Sequence, residues 1–355
     1  LQVGDAVSVS LDSSFTHKYS SNILRTESNE LSDDIQKLTP GLVVNFGKSG
    51  TALDLRLAAY RDIIKYQEYD VFDTELNKFY FDSSFKPSDV ISSNLSYSYL
   101  EGRSPKSEFA GTNRAPPLIE NNRETASFQA TYKYSPKLSF SFGLTQSELT
   151  YEPAAYAEQL SAIDSTIIPI NLIYHYSNKL SVVCGVTRTD RDIGERTAYF
   201  TNPITLTLAS VPLDSYETES LYYNIGLKGT IMPKLTGQFS VGYNTLSFST
   251  LTDDFNAFGS TAALTWTHSP KLRTTFNFSR DFDSAGTGST YRGTKGYLTT
   301  MYTLNNDFKL SLRVGGAGKY YKSNPEREGE ATGRGEKLYN ASLNLYYIPS
   351  NNYNF

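Results

Sequence analysis

The 355-residue chain has one cysteine, one tryptophan and three histidines. The single thiol, Cys184, excludes an internal disulfide framework and any cysteine-based metal cluster. In Leu180-Ser-Val-Val-Cys-Gly-Val it shares a parity with Leu180, Val182 and Val186, so it reads as a small lipid-facing apolar residue. His17, His175 and His268 are the only side chains expected to titrate near neutral pH. They fall on strand ends too far apart to form one metal site. No window approaches the ~18 to 20 uninterrupted apolar residues that a helical membrane span needs. The net charge of −4 comes with no basic patch, which excludes phosphate-backbone recognition and so nucleic acid as a partner. Zinc-ligand spacing, a phosphate cradle and a nucleophile elbow are all missing. His268 and Ser269 are neighbours on a strand and point to opposite faces. No catalytic, cofactor or metal residue is expected, and the chain reads as a non-enzyme. The start at Leu1 shows no charged and apolar leader, so it reads as mature protein from which a signal peptide has been removed.

What is present is a turn that keeps returning. Ser135-Pro-Lys-Leu, Ser177-Asn-Lys-Leu, Met232-Pro-Lys-Leu and Ser269-Pro-Lys-Leu have looser counterparts at Lys48-Ser-Gly, Lys86-Pro-Ser, Asn305-Asn-Asp and Pro349-Ser-Asn. Alternating apolar and polar residues flank each one, the mark of a hairpin. In 272–283, Leu272, Thr274, Phe276, Phe278 and Phe282 share one face, while Arg273, Asn277, Asp281 and Asp283 share the other. The period is two, not the three-to-four of a helix. Strands are expected at about 6–18, 34–46, 51–66, 74–85, 90–101, 122–134, 138–151, 163–176, 180–192, 214–229, 235–249, 256–267, 272–283, 291–303, 308–321 and 336–347. They exceed the five or six residues usual in a soluble sandwich and suit a tilted bilayer crossing. Aromatic content, with 27 Tyr and 20 Phe, suits interfacial girdles.

The sequence therefore predicts an all-β fold: one transmembrane up-and-down antiparallel β-barrel domain over residues 1–355, of about sixteen strands. Short turns lie at one end. Long polar connections lie at the other, at 19–33, 102–121, 152–162, 193–213, 284–290 and 322–335. Pro40 and Pro169 inside strands predict bulges or rim positions. Residues 348–355 read either as a short tail or as the start of a further hairpin that would make eighteen strands. The acidic positions Asp253, Asp254, Glu326, Glu328 and Glu330 read as solvated loop charges. Parity turns Arg56, Lys133, Lys228, Arg273, Asp281, Asp283, Lys309 and Arg313 towards the lumen, with most of the basic groups near the short-turn end. Charges there require a water-filled bore. They would either favour anions at that mouth or pair across strands to stiffen the wall. Tyr60, Tyr222 and Tyr346 share that face and could stack on sugars.

The opening stretch adds a resemblance. Asn22, Ile23, Arg25 and Thr26, then Ser32 and Asp33, then Pro40 and Gly41 resemble the start of the putative β-barrel porin 2 family, with Ser20-Ser21 departing from its acidic residues. The resemblance covers about 45 residues. It implies an outer-membrane barrel, some of whose relatives accompany exopolysaccharide export. The partners implied are outer-membrane lipid and lipopolysaccharide, with a secreted polysaccharide or an export protein beside them. Two functional readings stay open: an aqueous passage for polysaccharide or small solutes, and an occluded barrel anchoring an envelope assembly.

Overall fold

The computed structural model describes residues 2–3, 6–23, 30–47, 52–104, 119–152, 157–201, 208–249, 255–284, 290–321 and 335–347. The stub β1 (Gln2–Val3) precedes β2 (Val7–Ser20), β3 (Asp33–Phe46), β4 (Leu53–Tyr66) and β5 (Thr74–Phe85). Then come β6 (Ile91–Ser104), β7 (Ile119–Ser135), β8 (Leu138–Tyr151), β9 (Ile163–His175) and β10 (Leu180–Ile193). A small hairpin of β11 (Arg196–Thr201) and β12 (Leu208–Leu213) lies within the next connection. The wall resumes with β13 (Tyr216–Met232), β14 (Leu235–Phe248), β15 (Phe255–Thr267) and β16 (Leu272–Ser284). It ends with β17 (Thr290–Thr303), β18 (Phe308–Tyr321) and β19 (Gly335–Tyr347). From β2 to β10 each strand pairs antiparallel with the next. β10 then pairs with β13, and β13 to β19 continue in order. The chain is thus all-β, with sixteen long strands in up-and-down order among the described residues.

The recurring turn has a chemical reason. Its first side chain accepts hydrogen bonds from the amides two and three residues on, which closes the bend locally. Ser177 Oγ takes Lys179 N at 3.2 Å and Leu180 N at 3.1 Å. Ser269 does the same for Lys271 and Leu272, and Asn305 for Asp307 and Phe308. Met232 has no such acceptor, and there Lys234 takes a left-handed φ of 71° instead. The turns at Lys48 and Pro349 lie outside the described residues.

The two strand prolines behave differently from expectation. Pro40 sits opposite Ser13 and Pro169 opposite Thr187, with the register unbroken on that side. On its other side each proline drops out of the ladder, which resumes in the same register between Leu38 and Gly41 and between Ile167 and Ile170. A missing N–H is absorbed by a gap in one ladder, not by a bulge. The register shifts fall at Lys133/Ser135 and Thr230/Met232, next to tight turns.

Register gives the sheet two unlike faces. Phe142, Ile170, Val186, Tyr223, Tyr243 and Phe258 stand each directly opposite the next across β8, β9, β10, β13, β14 and β15, and all are exposed. A continuous exposed apolar row is what a lipid-facing surface requires. Cys184, between Leu172 and Ile225, belongs to this face. The opposite face carries Ser141, Asn171, Gly185, Asn224, Gly242 and Gly259 in successive register.

One seam is open. Among the described residues no ladder joins β19 to β2; the stub β1 covers only Val7 and Ser8 of that edge. Leu11 on β2 is 86% exposed and Leu343 on β19 66%, against 41% for Leu144 and Leu172 in the paired wall.

Candidate functional site

The polar face contains three zones. Across the middle of β7 to β10 and β13 to β15 it is built largely of amides and hydroxyls. Gln129, Asn171, Asn224, Gln238, Ser240 and Thr261 help to line a recess of about 240 Å3 there, with Lys228 at its edge. Hydroxyls bridge neighbouring strands, as in Ser127–Thr145 at 2.8 Å and Ser240–Thr261 at 2.7 Å. Strands place these groups because every second residue faces inward, and serine or threonine there satisfies its own hydrogen bond across the ladder.

The second zone is charged and paired. Asp62 on β4, with only 3% of its side chain exposed, meets Lys37 Nζ at 2.7 Å, Thr39 Oγ1 at 2.7 Å, and Lys78 Nζ. Arg56 reaches Asp82 at 3.4 Å and Tyr60 at 3.5 Å, and Tyr60 donates to Asp12 at 3.4 Å. The Tyr60 ring lies where a side chain on Gly41 would stand. Tyr222 likewise lies over Gly259, where an added Cβ would meet its Cε2 at 2.6 Å, and over Gly242. Glycine opposite an inward tyrosine lets the ring lie flat along the wall, out of the bore.

The third zone is the outer end. Asp33, 2% exposed, accepts from the amides of Gln67, Glu68 and Tyr69 and so pins the β4–β5 connection. Asp73 in that connection binds Lys65 Nζ and Tyr66 N, both at 2.8 Å; the Lys65 ammonium and the Tyr66 amide hold its carboxyl below the usual aspartate range. Under the mouth, Ser220 donates to Asn244 at 2.7 Å, and Asn244 donates to Asp281. Arg191 approaches Asp283 at 3.6 Å.

All eight charges named from the sequence lie on the polar face, but in different settings. Lys133, Lys228, Arg273 and Lys309 stand near the short-turn end and have no ion-pair partner among the described residues. Arg313 lies over the Tyr297 ring at 4.3 Å, and Arg56 is paired. Asp281 and Asp283 are tied into the outer network. The histidines stay apart. His17 meets Asp34 at 3.1 Å, His175 bridges Ser139 and Ser181, and His268 stacks on Trp266. Tyr346 stands opposite Lys309. Asp253, Asp254 and the glutamates at 326, 328 and 330 lie outside the described residues. Sequence reasoning missed the Asp62 cluster as a cluster, since Lys37 looks outward or inward only once the register of β3 is known.

Residues 214–355 match the family described as Putative beta-barrel porin 2. The match falls on β13 to β19, not on the first 45 residues where the resemblance was read. No curated protein matches the chain. The FrpB iron transporter from Neisseria meningitidis (F5-1 variant) superposes in its apoprotein form with a TM-score of 0.55 at 11% identity, covering 98% of this chain and 60% of that one. A second F5-1 structure gives a TM-score of 0.53 at 12% identity, covering 98% and 61%. The F3-3 variant gives 0.50 at 11%, covering 97% and 60%. The chain thus spans about three-fifths of the length of these solved barrels. At such identities the likeness is one of fold: that of an outer-membrane β-barrel.

Proposed function

We propose that the chain works in the outer membrane as a non-enzymatic barrel that forms an aqueous passage, for polysaccharide export or small-solute diffusion. The observation that carries this reading is the two-faced wall. An exposed apolar row backs a polar face of amides and hydroxyls, and four basic side chains without ion-pair partners among the described residues gather towards the short-turn end. Amides and hydroxyls offer matched donors and acceptors to water or to sugar hydroxyls without holding either tightly. The basic groups would favour anions at that mouth. Polysaccharide as cargo rests on the family resemblance alone. Burial at the outer mouth favours a second reading, an occluded barrel that anchors an envelope assembly.

Planar-bilayer recording separates the two. Openings should prefer anions, lose that preference in Lys228→Glu/Arg273→Glu, and be blocked by oligosaccharide added on the short-turn side. A barrel shown to be folded by heat-modifiable migration, yet silent both intact and after its outer loops are trimmed by protease, overturns the passage.

A further inference from the structure

The outward face of β16 to β19 changes character towards the outer end. Midway along it is apolar, with Phe276, Leu298, Val314 and Ala341 each directly opposite the next. Two same-face positions further out the register reads Arg280, Thr294, Gly318 and Lys337. The row beyond reads Phe282, Arg292, Tyr320 and Gly335. Three cations thus surround a floor of Thr294 and Gly318. An added Cβ at Gly318 would meet nothing nearer than Glu336 O at 3.7 Å, so the floor is low and open. The Arg292 guanidinium lies 5.6 Å from the centre of the Tyr320 ring, which holds it against the wall.

These cations lack partners. None of the three has an ion pair among the described residues, and Arg280 Nε is enclosed there without a hydrogen-bond acceptor. Among the described residues β15 to β19 place no carboxylate on this face. The outward face of β9, β10 and β13 is the reverse at its outer end. It carries Asp164, Asp190, Asp192, Glu217 and Glu219, and its one arginine there, Arg188, is paired to Asp190 at 3.0 Å and to Glu219 at 3.2 Å. Unpaired positive charge is confined to one sector. Its height is also telling. Leu272 to Arg280 spans nine residues, Tyr302 to Arg292 eleven and Leu345 to Lys337 nine. A tilted strand crosses hydrocarbon in ~9 to 11 residues. The cations therefore lie where the apolar band gives way to headgroups, beside the exposed rings of Tyr320 and Tyr339.

We propose that this basic cradle binds the phosphate groups of a phosphorylated glycolipid in the outer leaflet. The proposal rests on the outer-membrane location and is independent of what passes through the bore. Guanidinium groups pair bidentately with phosphate oxygens, and an ammonium adds a point charge. Arg280 and Arg292, diagonal neighbours about 7 to 8 Å apart at the backbone, share one phosphate, and Lys337 reaches a second. The acyl chains lie along Phe276, Leu298 and Val314. A soluble anion would gain nothing from that apolar row, so the ligand is a lipid.

Native mass spectrometry of the detergent-purified barrel with added lipid A tests this, each variant being verified as folded by heat-modifiable migration. The wild type should bind bis-phosphorylated lipid A, and Arg280→Gln/Arg292→Gln about tenfold more weakly. Adding Lys337→Gln should weaken binding further. Lys295→Gln, which removes a cation from the lumenal face of β17, should bind as the wild type does. Lipid A stripped of its phosphates should bind the wild type as weakly as it binds the variants, an arm that needs no mutant to fold. Equal affinity of the wild type for the two lipids, or an arginine variant that matches the wild type, overturns the site. Displacement by inorganic phosphate, where chloride of equal ionic strength displaces nothing, overturns the lipid as its ligand. A barrel that conducts but ignores lipid A removes this site alone, and a silent barrel that binds it removes the passage alone.

Discussion

Asp62 offers a quantitative test of how the lumenal wall is held. Its carboxylate is almost inaccessible, while its two partners keep some contact with water: 35% of the Lys37 side chain and 24% of Lys78 are exposed. Asp62→Asn keeps the shape and removes the charge, leaving two ammonium groups facing one another. Removing one partner of a fully buried pair costs about 3 to 5 kcal/mol. Partial exposure of both lysines puts the expected loss at the lower end, about 3 kcal/mol, or roughly a hundredfold in the unfolding equilibrium. Adding Lys78→Met should recover more than half of that, because the repulsion goes with the second charge. Urea unfolding in detergent micelles, followed by tyrosine fluorescence and gel migration, measures both. Asp62→Asn within about 0.5 kcal/mol of wild type, or a double variant no more stable than the single, would refute the argument.

Two further outcomes follow from local geometry. The folded-state pKa of Asp73 is lowered by Lys65 and the Tyr66 amide, so its stabilisation of the β4–β5 connection is complete above the unfolded value near 3.9 and is lost as pH falls through the folded value. Proteolytic nicking of residues 67–73 should therefore rise on acidification below about pH 4, and Asp73→Asn should be nicked readily at every pH. Gly259→Ala puts a methyl group against the Tyr222 ring and should swing it into the bore, at a cost of about 1 to 3 kcal/mol. Smaller unit conductance, restored by adding Tyr222→Ala, is the expected record; unchanged conductance would mean the ring yields along the wall.

The wall was legible because its signal is periodic. Leu272, Phe276 and Phe278 against Arg273, Asn277 and Asp281 announce two faces without any knowledge of neighbours, and the sixteen expected strands lie within a few residues of those observed. The weakly periodic 163–176, with Pro169 inside it, forms β9 in full, since its neighbours on both sides supply the ladder. The β11–β12 hairpin was not legible. Residues such as Arg196-Thr-Ala-Tyr look like one more polar connection, and only their pairing in register beyond β10 and β13 makes them strands. Ile193 and Leu246 each look like ordinary ends of a strand, and their burial is set by neighbours across the sheet that their own segments do not announce. Lumen charges could be assigned a face by parity, but pairing, as at Arg56 and Asp82, is a property of cross-strand register.

The edge between β19 and β2, where the described residues form no ladder, carries a condition of its own. In hydrocarbon each unsatisfied backbone donor or acceptor costs several kcal/mol. A rim as long as β2 or β19 would outweigh the roughly 5 to 15 kcal/mol that holds a typical domain together. The wall can stand in a bilayer only when that rim is stitched. Because β2 runs outward and β19 runs back, a single inserted strand would lie parallel to one of them. In an all-antiparallel wall the stitch is therefore either the direct pairing of β2 with β19 or an even number of strands, so a hairpin can close this barrel and a lone strand cannot.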